Sequence, residues 1–322
     1  MMRRHQMIEL IIPVLILGGS LILLAVSSHF TVRSVEKLMA LTGLSEISAG
    51  FVILAVMTST PEITVAIFSI LQGTPGITVG DVLGSNVFNL GAVIGMLGML
   101  GYLKTCCTTL WMELTDILFV TSLIPLLLVI SHFHIFEVSS PIVGAILLAT
   151  FIVNTYFMMK KGMPKNQAPV SRAVEKQGVA RVVARLLISF VGVVVAARLV
   201  VSYGVDIAGL LSVPPILIGA KLISIGTSLP ELTVDFTAVK RGRVHLAIGD
   251  IIGSNLTNLT LVLGLVLIFS PFAVDMTIFT EMLPFLLITT IIFWRFLTRG
   301  GVTQVGGIVL MMVYILFQAV IV

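Results

Sequence analysis

Two glutamates, each preceded by the same short run of residues, are the positions best equipped to do chemistry. Thr58-Ser59-Thr60-Pro61-Glu62 returns 169 positions later as Thr227-Ser228-Leu229-Pro230-Glu231. Proline has no N–H, so Pro61 leaves the carbonyl of Met57 unpaired, Pro230 leaves that of Gly226, and each helix must break or kink. Unpaired backbone at membrane depth is tolerated only where protein buries it or a polar cavity lies alongside. Thr58, Ser59, Thr227 and Ser228 add hydroxyls one turn before each glutamate. Carboxylates, hydroxyls and free carbonyls form an all-oxygen set, which suits hard cations such as Ca²⁺ or Na⁺ and not zinc or copper. The competing reading is a pair of protonated or hydrogen-bonded glutamates that only hold helices together. Ionisable residues inside a membrane are functional by default, and that weighs against it.

A second motif repeats at the same offset. Gly80-Asp81-Val82-Leu83-Gly84-Ser85-Asn86-Val87-Phe88-Asn89 returns as Gly249-Asp250-Ile251-Ile252-Gly253-Ser254-Asn255-Leu256-Thr257-Asn258. Glycines four apart, Gly80/Gly84 and Gly249/Gly253, let helices approach closely. Packing alone accounts for the glycines but not for the asparagines. Ser85 with Asn89, and Ser254 with Asn258, share a helical face and offer side-chain oxygens. Across positions 58–95 and 227–264, 16 of 38 residues are identical, mostly Gly, Pro, Thr, Ser, Asn and Glu. Unrelated apolar helices would match in Leu, Ile and Val instead, so the two segments are a duplication.

The elements that carry these motifs are membrane spans. The chain has 322 residues, 57% hydrophobic and 11% charged, with a mean hydropathy of +1.15. A soluble domain carries about 25% charged residues, so the solvent here is lipid. The net charge of +4 sits in connections, where it sets topology, and does not indicate nucleic-acid binding. Apolar runs predict ten helices near 8–29, 47–72, 78–101, 110–131, 136–159, 179–203, 211–239, 245–271, 276–298 and 302–321. Arg3 and Arg4 ahead of the first run resemble a signal peptide, but the run is too long for one and is kept as a span. The adjacent Cys106 and Cys107 exclude a disulfide framework and read as a loop pair without function.

Fourteen Lys and Arg fall in the odd-numbered connections, and the even-numbered ones (LQGTPG, SHFHIFE, SYGVD, SPFAVD) hold none. Odd connections are therefore cytoplasmic and both termini face outward, in the cell membrane. The polar run from Lys160 to Gln177 divides the chain into a five-helix repeat at 1–159 (motif segment 55–95), a cytoplasmic linker at 160–178, and a second repeat at 179–322 (motif segment 224–264). Five is odd, so the second repeat enters from the opposite side. Inverted repeats with a midplane site between them are an architecture of secondary transporters.

The two motif segments resemble the α-repeats of the cation/calcium exchanger superfamily, specifically its sodium/calcium exchanger branch of prokaryotic type. The similarity rests on Gly-Thr-Ser-Leu-Pro-Glu at 226–231 and Gly-Ser-Asn at 253–255. It implies an all-α membrane protein with a central site made by helices 2, 3, 7 and 8, and alternating access by sliding of helices 1 and 6. It implies antiport of Na⁺ against Ca²⁺ with no resident cofactor. Carried over by position, Thr58, Glu62, Thr227 and Glu231 hold calcium, while Ser59, Ser85, Asn89, Ser228, Ser254 and Asn258 complete the sodium sites.

Several positions depart from the family pattern. Met57 and Thr60 replace Gly and Leu in the first motif. Asp81 and Asp250 stand where Asn is common; placed at helix starts, they read as structural partners of the N-terminal dipole. Asn258 stands where potassium-dependent members carry Asp. Lys221 is an unexpected cation inside helix 7, and Asp235, whose counterpart is Ala66, lies outside the symmetric set. Glu113, Asp116 and Glu281 read as interfacial, and Arg185 and Arg198 as snorkelling from opposite ends of helix 6.

The nearest alternative is a calcium/proton antiporter of the same superfamily, whose glutamate motif resembles Gly-Asn-x-x-Glu. The hydroxyl pairs here favour sodium. A passive cation channel, the remote alternative, would want a ring of identical filters. Enzyme chemistry has no candidate catalytic set, since His29, His132, His134 and His245 fall at span ends.

Overall fold

Gly/Pro punctuation separates long apolar helices in the computed structural model, which describes residues 2–71, 75–104, 109–135, 137–162, 172–210, 224–270 and 276–321. The elements are α1 (Met2–Thr42), α2 (Glu46–Ala49), α3 (Ala55–Thr58), α4 (Thr60–Leu71), α5 (Pro75–Val87), α6 (Ile94–Met99), α7 (Thr109–Leu123) and α8 (Leu126–His132). They continue as α9 (Ser140–Gly162), α10 (Arg172–Leu210), α11 (Ser224–Thr227), α12 (Leu229–Lys240), α13 (Val244–Thr257), α14 (Leu263–Phe269), α15 (Met276–Thr298) and α16 (Gln304–Val320). Among the described residues three π turns, Gly50–Leu54, Phe88–Val93 and Asn258–Val262, join the pieces of otherwise continuous spans.

Among the described residues eight helical stretches are long and apolar enough to cross a membrane, and Gln304–Val320 is a shorter apolar helix. The stretch 224–240 supplies the remaining span; the first part of that span, 211–223 with Lys221, lies outside the described residues, as do Cys106 and Cys107. No strand occurs among the described residues.

Two helices run beyond their expected boundaries. The first helix was expected over 8–29 but continues to Thr42, taking Arg33 and Lys37 into the helix. Val32, Val35, Leu38 and Met39 are buried against its neighbours, and positions 30–42 hold no Gly or Pro to interrupt the helix before Gly43, at φ 72°. Likewise α10 begins at Arg172 and ends at Leu210, not at 179 and 203, so the last seven residues expected in the linker are helical.

Burial sorts the spans into layers. Thr78–Met99 and Val244–Phe269 are 83% buried, whereas Ile12–Thr42 and Gly178–Ala196 are 24% and 28% buried. The helices carrying the Gly-Ser-Asn motifs thus form the core, while α1 and α10 pack along each other at its lipid-facing rim. The first π turn and α2 lie on α13, α14 lies on α9, and α16 lies on α6.

Glycines make these approaches possible. A Cβ on Gly249 would stand 2.6 Å from the Ile47 carbonyl oxygen, and one on Gly253 would stand 2.6 Å from the Ala55 Cβ. Gly80 differs from its counterpart, since nothing lies within 4 Å of its Cβ position; packing does not demand its small size. Gly249→Val should therefore cost about 1–3 kcal/mol by overpacking against backbone that has no room to move, while Gly80→Ala should be close to neutral. Thermal unfolding of the two variants in detergent checks the contrast, and equal melting temperatures would contradict it.

At one end of the bundle, Glu36 of α1 accepts from Arg243 Nε at 3.2 Å and from Arg241, and Glu46 accepts from Arg243 at 2.7 Å. This ion-pair group ties α1 and α2 to the turn between α12 and α13.

Candidate cation site

The helix breaks fall on Ser59 (φ −77°, ψ 5°) and Ser228 (φ −93°, ψ 8°), two residues before each proline. Ordinary backbone bonds resume at once, Ile63 N–H to Ser59 O at 3.0 Å and Leu232 N–H to Ser228 O at 3.2 Å. The interruption is therefore local, and it serves to aim side chains inward. Ser59, Glu62, Ser228 and Glu231 are all fully buried. Neither serine hydroxyl has a hydrogen-bond partner, nor do Glu62 Oε2 and both Glu231 oxygens. The Ser228 hydroxyl lies beside the Glu62 carboxyl without closing a bond of normal geometry.

Thr58 and Thr227 reach across the repeats in matching ways. Thr58 Oγ1 donates to Asp250 Oδ1 at 3.1 Å, and Thr227 Oγ1 donates to Asp81 Oδ1 at 2.8 Å. Thr58 also lies 2.9 Å from Ser254 Oγ, and Thr227 lies 3.5 Å from Ser85 Oγ. Each pairing takes the threonine from one repeat and the aspartate and serine from the other, as a pseudo-twofold axis requires. Ser85 donates in addition to Glu62 Oε1 at 3.3 Å. The structure thus brings Thr58, Glu62, Ser85, Thr227, Ser254 and the two aspartates around one buried space.

Reading Asp81 and Asp250 as helix-start residues is corrected by this geometry. Asp81 is the seventh residue of α5 and Asp250 the seventh of α13, beyond the first turn where the dipole acts. They lie one turn before Ser85 and Ser254, and that i,i+4 relation was the available signal.

The asparagines break the symmetry. Asn89 Nδ2 donates to Asn255 Oδ1 at 3.2 Å, but neither polar atom of Asn86 or of Asn258 has a partner. Asn89 lies in the π turn Phe88–Val93 and Asn258 opens the π turn Asn258–Val262, where Ile94 N–H bonds Asn89 O and Leu263 N–H bonds Asn258 O. Such wide turns recur at functional sites because they re-aim side chains within a continuous helix. Nothing in the amino-acid types announced them. Asp235, left outside the symmetric set by sequence reasoning, is fully buried beside Asp250, and neither of its oxygens meets a donor.

Charge decides what this space can hold. Glu62, Asp81, Glu231, Asp235 and Asp250 are buried, and no Lys or Arg is buried among the described residues. Burying a carboxylate unpaired is costly, so a cation or protons must accompany these groups. Among the described residues no three carboxylate, imidazole or thiol groups converge on a metal position. A bound ion would then divide its coordination between carboxylates and neutral hydroxyl and amide oxygens, as hard cations accept. Asp116, expected near a helix end, lies in mid-α7 and accepts from Trp294 Nε1 at 2.7 Å, apart from this set.

Comparison with known proteins follows the same outline. Residues 12–160 and 181–322 match the sequence profile of the family described as sodium/calcium exchanger protein. The chain is similar to the sodium/calcium exchanger MaX1 of Methanosarcina acetivorans, 30% identical over 95% of this chain and 97% of that protein. It is also similar to the inner membrane protein YrbG of Escherichia coli, 26% identical over 90% of this chain and 92% of that one. Among solved structures, the sodium-calcium exchanger NCX_Mj soaked with 10 mM Na⁺ and zero Ca²⁺ superposes with a TM-score of 0.84 at 25% identity, covering 97% of this chain and 100% of that chain.

Proposed function

The chain belongs to the sodium/calcium exchanger protein family, and we propose that it exchanges sodium for calcium at the space between Glu62 and Glu231. It is an integral membrane protein of two inverted five-helix repeats, a fold shared with NCX_Mj. The observation that carries the reading is the pair of fully buried glutamates, one from each repeat, whose free oxygens face no buried base. The ligands assigned are Thr58, Ser59, Glu62, Ser85, Asn89, Thr227, Ser228, Glu231, Ser254 and Asn258, with Asp81 and Asp250 fixing the threonines. Because Thr58 and Thr227 donate their hydrogens to aspartates, their oxygen lone pairs are left for an ion.

Exchange follows from electrostatics. Two ligating glutamates balance one Ca²⁺ or an equivalent load of Na⁺, and the empty charged site is too costly to carry past a hydrophobic barrier. Return therefore requires a ligand. The lightly buried α1 and α10 slide as a pair along the core, and the bonds from Glu36 to Arg241 and Arg243 must shift when they do. The protein resides in the cell membrane with both termini outside, in keeping with the distribution of Lys and Arg.

The three further buried aspartates, and Asp235 beside Asp250 in particular, favour one second reading, in which protons replace sodium as the coupling ion. Uptake of labelled calcium into proteoliposomes separates the two. An outward sodium gradient should drive it, and a pH difference without sodium should not. Uptake driven by pH alone would replace the sodium reading with the proton one.

A further inference from the structure

The outer face of the α1–α10 pair holds a cleft of about 610 Å³ in which apolar walls meet cations. Leu23 and Phe30 of α1 and Ile188 of α10 line it and are 41%, 50% and 73% exposed, as side chains facing lipid would be. Arg33, Lys37 and Arg185 line the same cleft and are exposed. Arg33 and Lys37 are four apart, hence on one face of α1, and Arg185 comes from the facing helix.

Among the described residues these charges have no counter-ion, and no Asp or Glu of that set lines the cleft. The carboxylate of Glu36, next to Lys37 in sequence, is taken by Arg241 and Arg243. Arg33 and Lys37 flank Glu36, whose carboxylate meets the α12–α13 turn at Arg241 and Arg243, and Arg185 is seven residues past the start of the apolar span Gly178–Ala196. The cations therefore stand toward the end of the helix pair with apolar walls beside them, and basic groups beside a membrane surface attract anionic headgroups. The anion must itself tolerate an apolar surround, which excludes a free hydrated ion and fits a group attached to a chain.

We infer that the cleft binds one anionic phospholipid, its phosphate among Arg33, Lys37 and Arg185 and an acyl chain along Leu23, Phe30 and Ile188. The volume is within the range of small-molecule sites, about 300–1,000 Å³, enough for a headgroup and the start of a chain. The floor is where the two helices touch, since a Cβ on Gly192 would stand 2.6 Å from Ser27 Oγ. The lipid would therefore bridge α1 and α10 and hold them as one body.

The test is lipid retention by the full chain in detergent, read by native mass spectrometry after adding phosphatidylglycerol or phosphatidylcholine. This readout is independent of transport, so it stands or falls apart from the exchange reading. The wild type should retain one phosphatidylglycerol and little phosphatidylcholine. The variant Arg33→Gln/Lys37→Gln/Arg185→Gln should lose that retention roughly tenfold or more, given the attraction of each basic group to an anionic headgroup. Arg33→Lys/Arg185→Lys should keep most of it, with unchanged melting temperatures throughout because all three side chains are exposed. Equal retention by wild type and triple variant would overturn the proposal. So would equal retention of the two lipids, or displacement of phosphatidylglycerol by millimolar inorganic phosphate, which would make the site one for free phosphate.

Discussion

Glu62→Gln and Glu231→Gln should each reduce sodium-driven calcium flux by roughly 100- to 1,000-fold. Glutamine keeps the shape and an acceptor oxygen but removes one of the two negative charges that a dehydrated divalent ion needs. Breaking a buried charge pair by removing one partner costs about 3–5 kcal/mol, and each 1.4 kcal/mol is about tenfold. Folding should survive either change, because the wild-type carboxyls are buried with free oxygens and hold the helices together with few bonds. Calcium binding by calorimetry, alongside flux in proteoliposomes, separates a lost site from a lost fold. The pseudo-twofold arrangement adds a sharper expectation: the two variants should be impaired to a similar extent. Near-normal flux in either one removes that glutamate from the site.

The glutamates stood out in the sequence because a repeated carboxylate at mid-span weighs against a merely structural role, and the offset of 169 positions tied both motifs into one duplication. The odd number of spans per repeat then gave the inverted architecture by counting alone. What sequence reasoning missed had four causes. Arg33 and Lys37 were taken as marking a helix end, but a charge on an exposed helical face ends nothing, and α1 runs on to Gly43. Asp81 and Asp250 were judged by distance from a helix start, when the face they share with Ser85 and Ser254 was the better guide. The π turns at Asn89 and Asn258 depend on how one helix fits against its neighbours, so no local pattern of residue types gives them away. Asp235 was set aside for lacking a symmetric partner. The structure nevertheless buries it beside Asp250, so symmetry between the repeats was too narrow a filter for buried carboxylates.

Asp250→Leu should lower calcium affinity by about 10- to 100-fold, and Asp81→Leu by a similar factor, while the Asn variants should stay within a few-fold. The reason lies in the direction of two hydrogen bonds. Thr58 donates to Asp250 and Thr227 to Asp81, so each aspartate fixes where a hydroxyl hydrogen points and turns the lone pairs toward the ion. Leucine removes the acceptor; the Thr58 hydrogen then turns toward Ser254, 2.9 Å away, or into the ion space, where it repels a cation. A hydrogen bond to a charged acceptor contributes about 1.5–3 kcal/mol, which sets the factor. Asparagine keeps an acceptor oxygen, so charge is lost but orientation is not. Since each aspartate acts through its threonine, the effects must not add: Thr58→Ala should cost little more once Asp250 is Leu, although it is damaging alone. A double-mutant cycle on calcium affinity measures that coupling. Additive losses would show that the aspartates shape the site by their charge alone, whereas a large coupling in both halves would assign them the same positioning task on either side of the pseudo-twofold axis.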